Sequence, residues 1–486
     1  MLTAIVKREC LDHLFSLRFS FALVLVLGLM VLNALGFAGS SYPYKRDRYF
    51  ERVQAQQETC RADATRLWQL AVRGPGDLHK KPSQLMFCAA EADHALPDHV
   101  GAYNPVEVTY KIKIYGMWIL SFLGSHSLHD SLRRTAQQLL SVQAIDWVFI
   151  IGIVLSLVAL LFTFEAIVGE KERGTLKLVM AQSLPRHTLL LGKFLGAMLV
   201  LSLVMILGVV VNLLLVLSLS EAHLGAGETV KLVGMVGLAV LYLSIFVSLG
   251  LWISVRSSSA RASLVSVLLL WTCTSLIWPQ SGGVLAARLL QNKGQGETPI
   301  TYKKDKMVMG SPTSIKMHQL AGTLNRRNLK NPTKVQPLAE AIRADRRAVQ
   351  QIEDEILADQ LNQAEFARNL VRLSPMGCFQ YGMEALAGTG LARHKSFIEQ
   401  VRTYAQSYEQ TIIALDRADP ESMHLFPVPQ AMSKREISVE SLPVFREDLS
   451  VATLISQARV DVIILCFLAV ITYLIAYRAW LRSSVL

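Results

Sequence analysis

The sequence predicts an α-helical membrane protein: six transmembrane helices with two extracytoplasmic, mainly helical α/β domains. Three observations lead there. Of the 486 residues, 52% are hydrophobic and the mean hydropathy is positive, more apolar than a soluble chain of this size. The apolar residues are gathered in long blocks, not spread along amphipathic faces. Lys and Arg crowd the short segments that flank those blocks on one side, which is a topology signal.

A helix needs about 20 apolar residues to cross a bilayer. Six blocks meet that length: 19–39, 146–167, 189–219, 230–253, 262–279 and 460–478. Inside lipid the backbone must satisfy its own hydrogen bonds, so each block reads as a helix. The fifth and sixth are near the short limit. The third is long enough to tilt or to include an interfacial turn. The first reads as a retained signal-anchor, because its apolar run exceeds a signal-peptide core and eighteen residues precede it.

Six spans put both termini on one side. Placing that side in the cytoplasm collects Lys7, Arg8, Arg18, Lys171, Arg173, Lys177, Arg186, Lys193, Arg256, Arg261, Arg478 and Arg482 inside. The short outer loop Ser220–Glu228 then has no Lys or Arg. That is a positive-inside pattern, and it predicts a multi-pass membrane protein with cytoplasmic termini. The net charge of +11 does not point to nucleic acid. Charges in the two large loops are nearly balanced, with no basic stripe interleaved with aromatics.

The elements follow in order. Residues 1–18 carry Leu2, Ile5, Val6, Leu14 and Phe15 at helical spacing among Lys7, Arg8, Glu9 and Asp12. That predicts an amphipathic helix lying in the lipid interface. Residues 40–145 form the first outer domain. A helix there is ended by Gly74-Pro75-Gly76, and "VEVTYKIKIYG" alternates like a strand. Residues 146–279 hold spans two to five. Residues 281–459 form the second outer domain. Its clearest element is a long helix opened by Pro337 and followed by Pro375. Such a helix pairs with a second subunit or packs on its own domain. The stretch 291–334 reads as loop, being polar and rich in Gly, Pro and Lys. Asn33 and Asn212 are expected to bridge spans, with facing the translocation path as the alternative. No Asp or Glu falls in the middle of a block, which argues against proton-driven transport.

Between spans two and three lies "GEKERGTLKLVMAQSLPR", with six charged residues in eighteen. It predicts a cytoplasmic helix over about 169–181, broken at Gly174-Thr175, with Ser183 capping the next helix and Pro185 in its first turn. Leu176, Leu178, Val179 and Met180 are more apolar than a solvated linker needs. The mix suits either docking to a cytoplasmic protein or folding back on the chain's own membrane face.

The segment Phe162–Ala197 resembles the signature of type 2 ABC transporter permeases, the transmembrane subunits of ABC exporters. It carries Glu165, Gly169, Glu170, Lys171, Glu172, Arg173, Gly174, Thr175, Leu176, Ser183, Pro185, Arg186, Gly192 and Lys193 at the family's positions. The resemblance implies that 169–181 is a coupling helix seated in an ATPase subunit, with Glu172, Arg173 and Leu176 in contact. It implies that residues 1–18 are the connecting helix. Lys80–Val100 and Arg372–Tyr404 are similar to a subgroup with enlarged extracytoplasmic loops. The first departs from that subgroup within Ala89–Ala92, where relatives more often carry a Gly. The implied function is ATP-driven export, or transmission of ATP-driven motion to a periplasmic partner with nothing crossing. The implied partners are two ATPase subunits and a second permease, identical or a sister, in the surrounding lipid. ATP and Mg would be bound by the ATPase, because this chain has no G-x-x-x-x-G-K-[ST]. It also lacks HExxH, GxSxG and CxxC, so no catalytic residue is assigned.

Of six cysteines, Cys60, Cys88 and Cys378 fall outside the membrane. A chain reversing at Gly74-Pro75-Gly76 favours a Cys60–Cys88 disulfide, with two buried thiols as the alternative. Met86, Cys88, His94 and His99 are soft ligands of a kind that suits Cu(I). Their spacing fits no single helix face, and no metal site is assigned.

Overall fold

The computed structural model describes residues 2–90, 99–101, 145–181, 185–282, 285, 312–323 and 330–483. Six helices are long and apolar enough to cross a membrane: Leu17–Asp63, Trp147–Glu172, Arg186–Leu219, Ala226–Arg256, Ala260–Gly282 and Val451–Arg482. They match the six predicted blocks, and the chain is an α-helical membrane protein. The ends run further than the apolar blocks do. The third, α7 (Arg186–Leu219), is one helix of 34 residues. At 1.5 Å per residue it measures about 50 Å, against a hydrocarbon core of about 30 Å.

Helix α1 (Leu2–Leu14) is followed by α2 (Leu17–Gly36), capped by Ser16. A π-helical turn at Phe37–Ser41 carries α2 directly into α3 (Tyr42–Asp63), out of the bundle. Helix α4 (Leu67–Arg73) ends at Gly74, whose φ of 63° favours glycine. The single predicted helix is thus split at Ala64–Arg66. There, residues 435–437 pair with the backbone: Leu67 N donates to Arg435 O, and Ile437 N donates to Ala64 O. Strands β1 (Asp77–His79) and β2 (His99–Gly101) form the one antiparallel ladder among the described residues. The strand expected in "VEVTYKIKIYG" lies outside the described residues.

Helices α5 (Trp147–Glu172) and α8 (Ala226–Arg256) form the middle of the bundle. In their most apolar stretches 72% and 56% of residues are buried, against 17% for α9 (Ala260–Gly282) and 22% for α14 (Val451–Arg482). The last two are the peripheral spans. Asn33 and Asn212 bridge α2, α5 and α7 as expected. Asn212 donates to Asn33 Oδ1 (2.8 Å) and Met30 O (2.7 Å), and Trp147 Nε1 donates to Asn212 (3.0 Å). Asn33 Nδ2 donates outward to Phe87 O (3.1 Å) and Ile145 O (2.6 Å).

The described parts of the two large loops share cores and are together called the head. Ala64, Leu67, Leu70 and Ala71 from the first pack with Tyr408, Ile412, Phe426 and Met432 from the second. Leu78 packs on Phe397 and Val401. The long helix, α11 (Pro332–Val371), has 40 residues. It opens at Pro332 behind the Asn331 cap, so Pro337 lies inside it and does not open it. It packs on its own chain, antiparallel to α13 (Leu391–Arg417), through Arg346–Glu409 (2.6 Å), Asp354–Arg402 and Glu365–Lys395. The stretch read as loop contains α10 (Pro312–Thr323), because Met317 and Leu320 pack on Val335 and Leu338 of α11. Between α11 and α13 lies α12 (Pro375–Ala387), buried along its length against α8 and α14.

Candidate functional site

Both termini and the charged stretch 164–193 meet at one face of the bundle, here called the terminal face. Its geometry starts from a break in α5. The turn at Phe164–Ile167 interrupts the helix and frees backbone groups inside the bundle, and buried backbone groups must find partners. Each partner comes from another span. The Ser254 hydroxyl of α8 accepts from Ile167 N (3.0 Å) and Val168 N (3.1 Å). The Ser263 hydroxyl of α9 donates to Phe164 O (2.6 Å). Arg18, at the foot of α2, donates to Leu161 O (3.2 Å), pairs with Glu165 (2.6 Å) and lies over the Phe164 ring.

The chain then makes an elbow. A short helix, Val168–Glu172, ends at Gly174, whose φ of 73° suits a residue without Cβ. Helix α6 (Thr175–Ala181) follows. The break at Gly174-Thr175 stands where the sequence predicts it. Lys171, Glu172, Arg173, Gly174, Thr175 and Lys177 are exposed. Leu176 is buried in the bundle core, and Leu178 is 70% exposed. The expectation that Leu176 contacts a partner is therefore corrected. Two residues along a helix turn by about 200°, so one leucine faces in and the other out. Leu178 offers its side chain to solution, and Lys171, Arg173 and Lys177 of the same elbow are exposed as well.

Glu170, Arg186 and Lys193, and the exposed Glu172 as well, are bonded within the chain. Glu172 Oε1 accepts from Ala260 N (3.0 Å), at the first turn of α9, where a carboxylate also suits the helix dipole. Glu170 accepts from Lys193 of α7 (2.8 Å), and Lys193 also binds Glu9 of α1 (2.8 Å). Lys193 is 4% exposed. It lies between Gly192 and Gly196, which bring α1 close. A Cβ on Gly192 would sit 2.5 Å from Ile5 Cγ2, and one on Gly196 would sit 2.6 Å from Glu9 Cβ. So α1 is packed on α7 as well as amphipathic, with Leu11 and Phe15 left exposed at its outer edge. Its His13 stacks on Phe162 at 5.2 Å, and burial lowers the imidazole pKa despite the nearby Glu9.

Arg186 reaches the other end of the chain. It donates to Leu481 O (3.1 Å) and Ser483 O (3.3 Å), the free carbonyls at the C-terminus of α14, and Trp480 Nε1 donates to Arg186 O (2.8 Å). Pro185 stands one residue before α7 and not in its first turn. Ser183 lies outside the described residues. Gly169 is buried one turn from Glu165.

The sequence matches the profile of the ABC-2 family transporter proteins over residues 3–485. The chain belongs to the ABC-2 transporter family. It is also similar to two proteins named as probable ABC transporter permease protein NosY. The one from Pseudomonas aeruginosa is 37% identical over 118 residues, 24% of this chain and 42% of that protein. The one from Stutzerimonas stutzeri is 50% identical over 52 residues, 11% of this chain and 19% of that protein. The chain thus matches less than half the length of either relative. This ABC-2 chain is an ABC transporter membrane subunit.

Elsewhere the candidate sites are not assembled. Cys60 and Cys88 are free thiols, the first half-buried and the second in the bundle core, so the expected disulfide is corrected. Cys60 lies by Tyr404, Tyr408 and Asp63 of the head, and burial raises its pKa. Cys88 is buried in the membrane bundle beside Val148, because residues 85–90 fold down into it. Met86 is buried in the same core. His94 and the His99 side chain lie outside the described residues. No group of three metal-binding His, Cys, Asp or Glu side chains occurs among the described residues. Asp461, at the edge of the predicted sixth block and not in its middle, is 1% exposed inside α14.

Sequence reasoning missed Leu178 as the outward leucine, Ser254 and Ser263 as caps, and Glu9 and Arg18 as partners. The Gly192-x-x-x-Gly196 spacing was a usable signal for a closely packed helix. Nothing local marks the serines.

Proposed function

We propose that this chain is the permease subunit of an ATP-driven exporter of the bacterial inner membrane. The basic terminal face lies in the cytoplasm. A separate ATPase subunit, present in two copies, binds ATP and Mg and receives the elbow 168–181. A second permease, identical or a sister, completes the membrane part. The chain supplies no catalytic group; its work is mechanical.

One observation carries this reading. The elbow exposes Leu178 together with Lys171, Arg173 and Lys177, while its inner side and the flanking residues Glu165, Ile167 and Arg186 are bonded to the other spans. A push on Leu178 would be felt by α2 through Arg18, by α8 through Ser254, by α9 through Ala260, by α1 and α7 through Lys193, and by α14 through Arg186. The cations call for an acidic rim around an apolar slot on the ATPase. The test is Leu178→Glu in the chain co-expressed with the ATPase. Co-purification should fall at least tenfold while the melting temperature of the permease is unchanged. Wild-type recovery of the ATPase would remove the docking assignment.

A second reading is favoured by one feature. The head is not loosely hung on the bundle. Residues 85–90 are buried within it, fixed by Asn33 to Phe87 O, by Ala90 N to Asp146 (3.0 Å) and by Thr389 to Ala89 O (2.6 Å). Such attachment suits delivery of ATP-driven motion to a periplasmic partner.

A further inference from the structure

The foot of α11 is held in the membrane bundle by charge as well as by packing. Val371 is 5% exposed and sits against Gly282 at the end of α9 and Gly377 in α12, where a Cβ on either glycine would overlap it. The next residue, Arg372, makes a two-pronged pair with Asp461 of α14: Nε–Oδ1 at 2.6 Å and Nη2–Oδ2 at 3.1 Å. One turn earlier, Arg368 pairs with Glu384 of α12 at 3.2 Å and lies over the Tyr381 ring at 3.8 Å. Asp461 and Glu384 are each 1% exposed.

Buried ion pairs are a costly way to hold helices together, and apolar packing would serve stability as well. What a bidentate pair adds is direction: it fixes orientation as well as distance. Both oxygens of Asp461 are engaged by the guanidinium, so the carboxylate is placed to hold α11 in one orientation. Helix α14 is the connection between the two faces. Trp480 and Arg186 meet at its terminal-face end, and Asp461 lies 19 residues away, about 28 Å along the helix. That is close to the thickness of the hydrocarbon core. On the far side, α11 is about 60 Å long, so a tilt of about 5° at its foot displaces its far end by about 5 Å. Its ion pairs to α13 carry the head along with it.

We propose that Arg372 and Asp461 form the joint through which movement of α14, begun at the terminal face, tilts α11 and with it the head. They are positioning residues and touch no substrate. The proposal rests on the ATP-driven reading above and adds the route by which motion leaves the membrane.

The test uses the full chain purified with its ATPase subunit in lipid nanodiscs. Hydrogen–deuterium exchange is compared between nucleotide-free and ATP–vanadate-trapped complexes, at peptides covering 168–181 and 399–417. In the wild type, trapping changes exchange in both. In Arg372→Met and Asp461→Asn the change at 168–181 persists, and the change at 399–417 falls below half. Arg372→Lys, which keeps the charge but cannot hold both oxygens of Asp461, retains only part of it. A merely structural role would raise exchange in the head equally in both nucleotide states and leave their difference intact; that result overturns the joint. Should Arg372→Met fail to give a monodisperse complex, Asp461→Asn against Arg372→Lys makes the same comparison. A wild type that responds at 168–181 but not at 399–417 overturns the joint alone. No response at 168–181 counts against the ATP-driven reading, and the joint falls with it.

Discussion

Lys193 shows how one side chain sets the terminal face. A lysine 4% exposed at the edge of a membrane span needs anionic partners. Glu9 and Glu170 supply them, one from the helix before the first span and the other from the end of the second. The glycines on either side let α1 approach closely enough for Glu9 to reach. Lys193→Met keeps the stem and removes the charge, leaving two half-buried carboxylates facing one another. A fully buried pair broken in this way costs 3–5 kcal/mol. Both carboxylates here retain some exposure, so about 2 kcal/mol is expected. The readouts are a lower melting temperature in detergent and faster thiol labelling of Cys10, which in the wild type lies against Gly196 O. Unchanged labelling would show that α1 is held by its apolar contacts alone.

At the scale of elements, the elbow and α11 are both amphipathic helices whose partner could not be named from periodicity. In the elbow, Leu176 and Leu178 have the same chemistry and opposite roles. Leu176→Ala is expected to destabilise the permease by about 2–4 kcal/mol through the cavity it leaves. It should weaken ATPase binding only as far as the elbow loosens. Leu178→Glu should do the reverse. Thermal unfolding and ATPase co-purification measured on the same preparations separate them; matching profiles for the two variants would mean that the in-and-out assignment is wrong. For α11, the open choice between a second subunit and its own domain falls to its own domain. The ion pairs with α13 run in antiparallel register along it.

At the scale of the whole molecule, the two faces differ in charge and mass. The terminal face collects the short basic segments; the opposite face carries the head. The positive-inside rule orients this asymmetry, and impermeant thiol reagents test it. In a cysteine-free background, Val444→Cys on the head (71% exposed) should react in intact spheroplasts. Leu178→Cys (70% exposed) should react only after permeabilisation. Reaction of Leu178→Cys in sealed spheroplasts would invert the protein and end the ATPase assignment.

The spans, their number, the elbow with its break at Gly174, and the bridging asparagines were legible in the sequence. These rest on local properties. Twenty apolar residues make a spanning helix whatever surrounds them, and a glycine between charged and apolar turns breaks a helix wherever it lies. The inward wiring of the elbow was not legible. Arg186 meets residues 481–483, Lys193 meets Glu9, and Arg372 meets Asp461. These partners are brought together across tens to hundreds of residues by packing of the spans, and no local pattern encodes which charge finds which. The same holds for the head. Hydropathy divided it into two loops, but Leu67 and Tyr408 lie in one core, because apolar surface is buried wherever the closed fold places it. The sequence by itself therefore determined what crosses the membrane and where the chain can bend. Only the tertiary structure decided which side chains join those parts, since that depends on contacts between distant segments and not on the composition of any one of them.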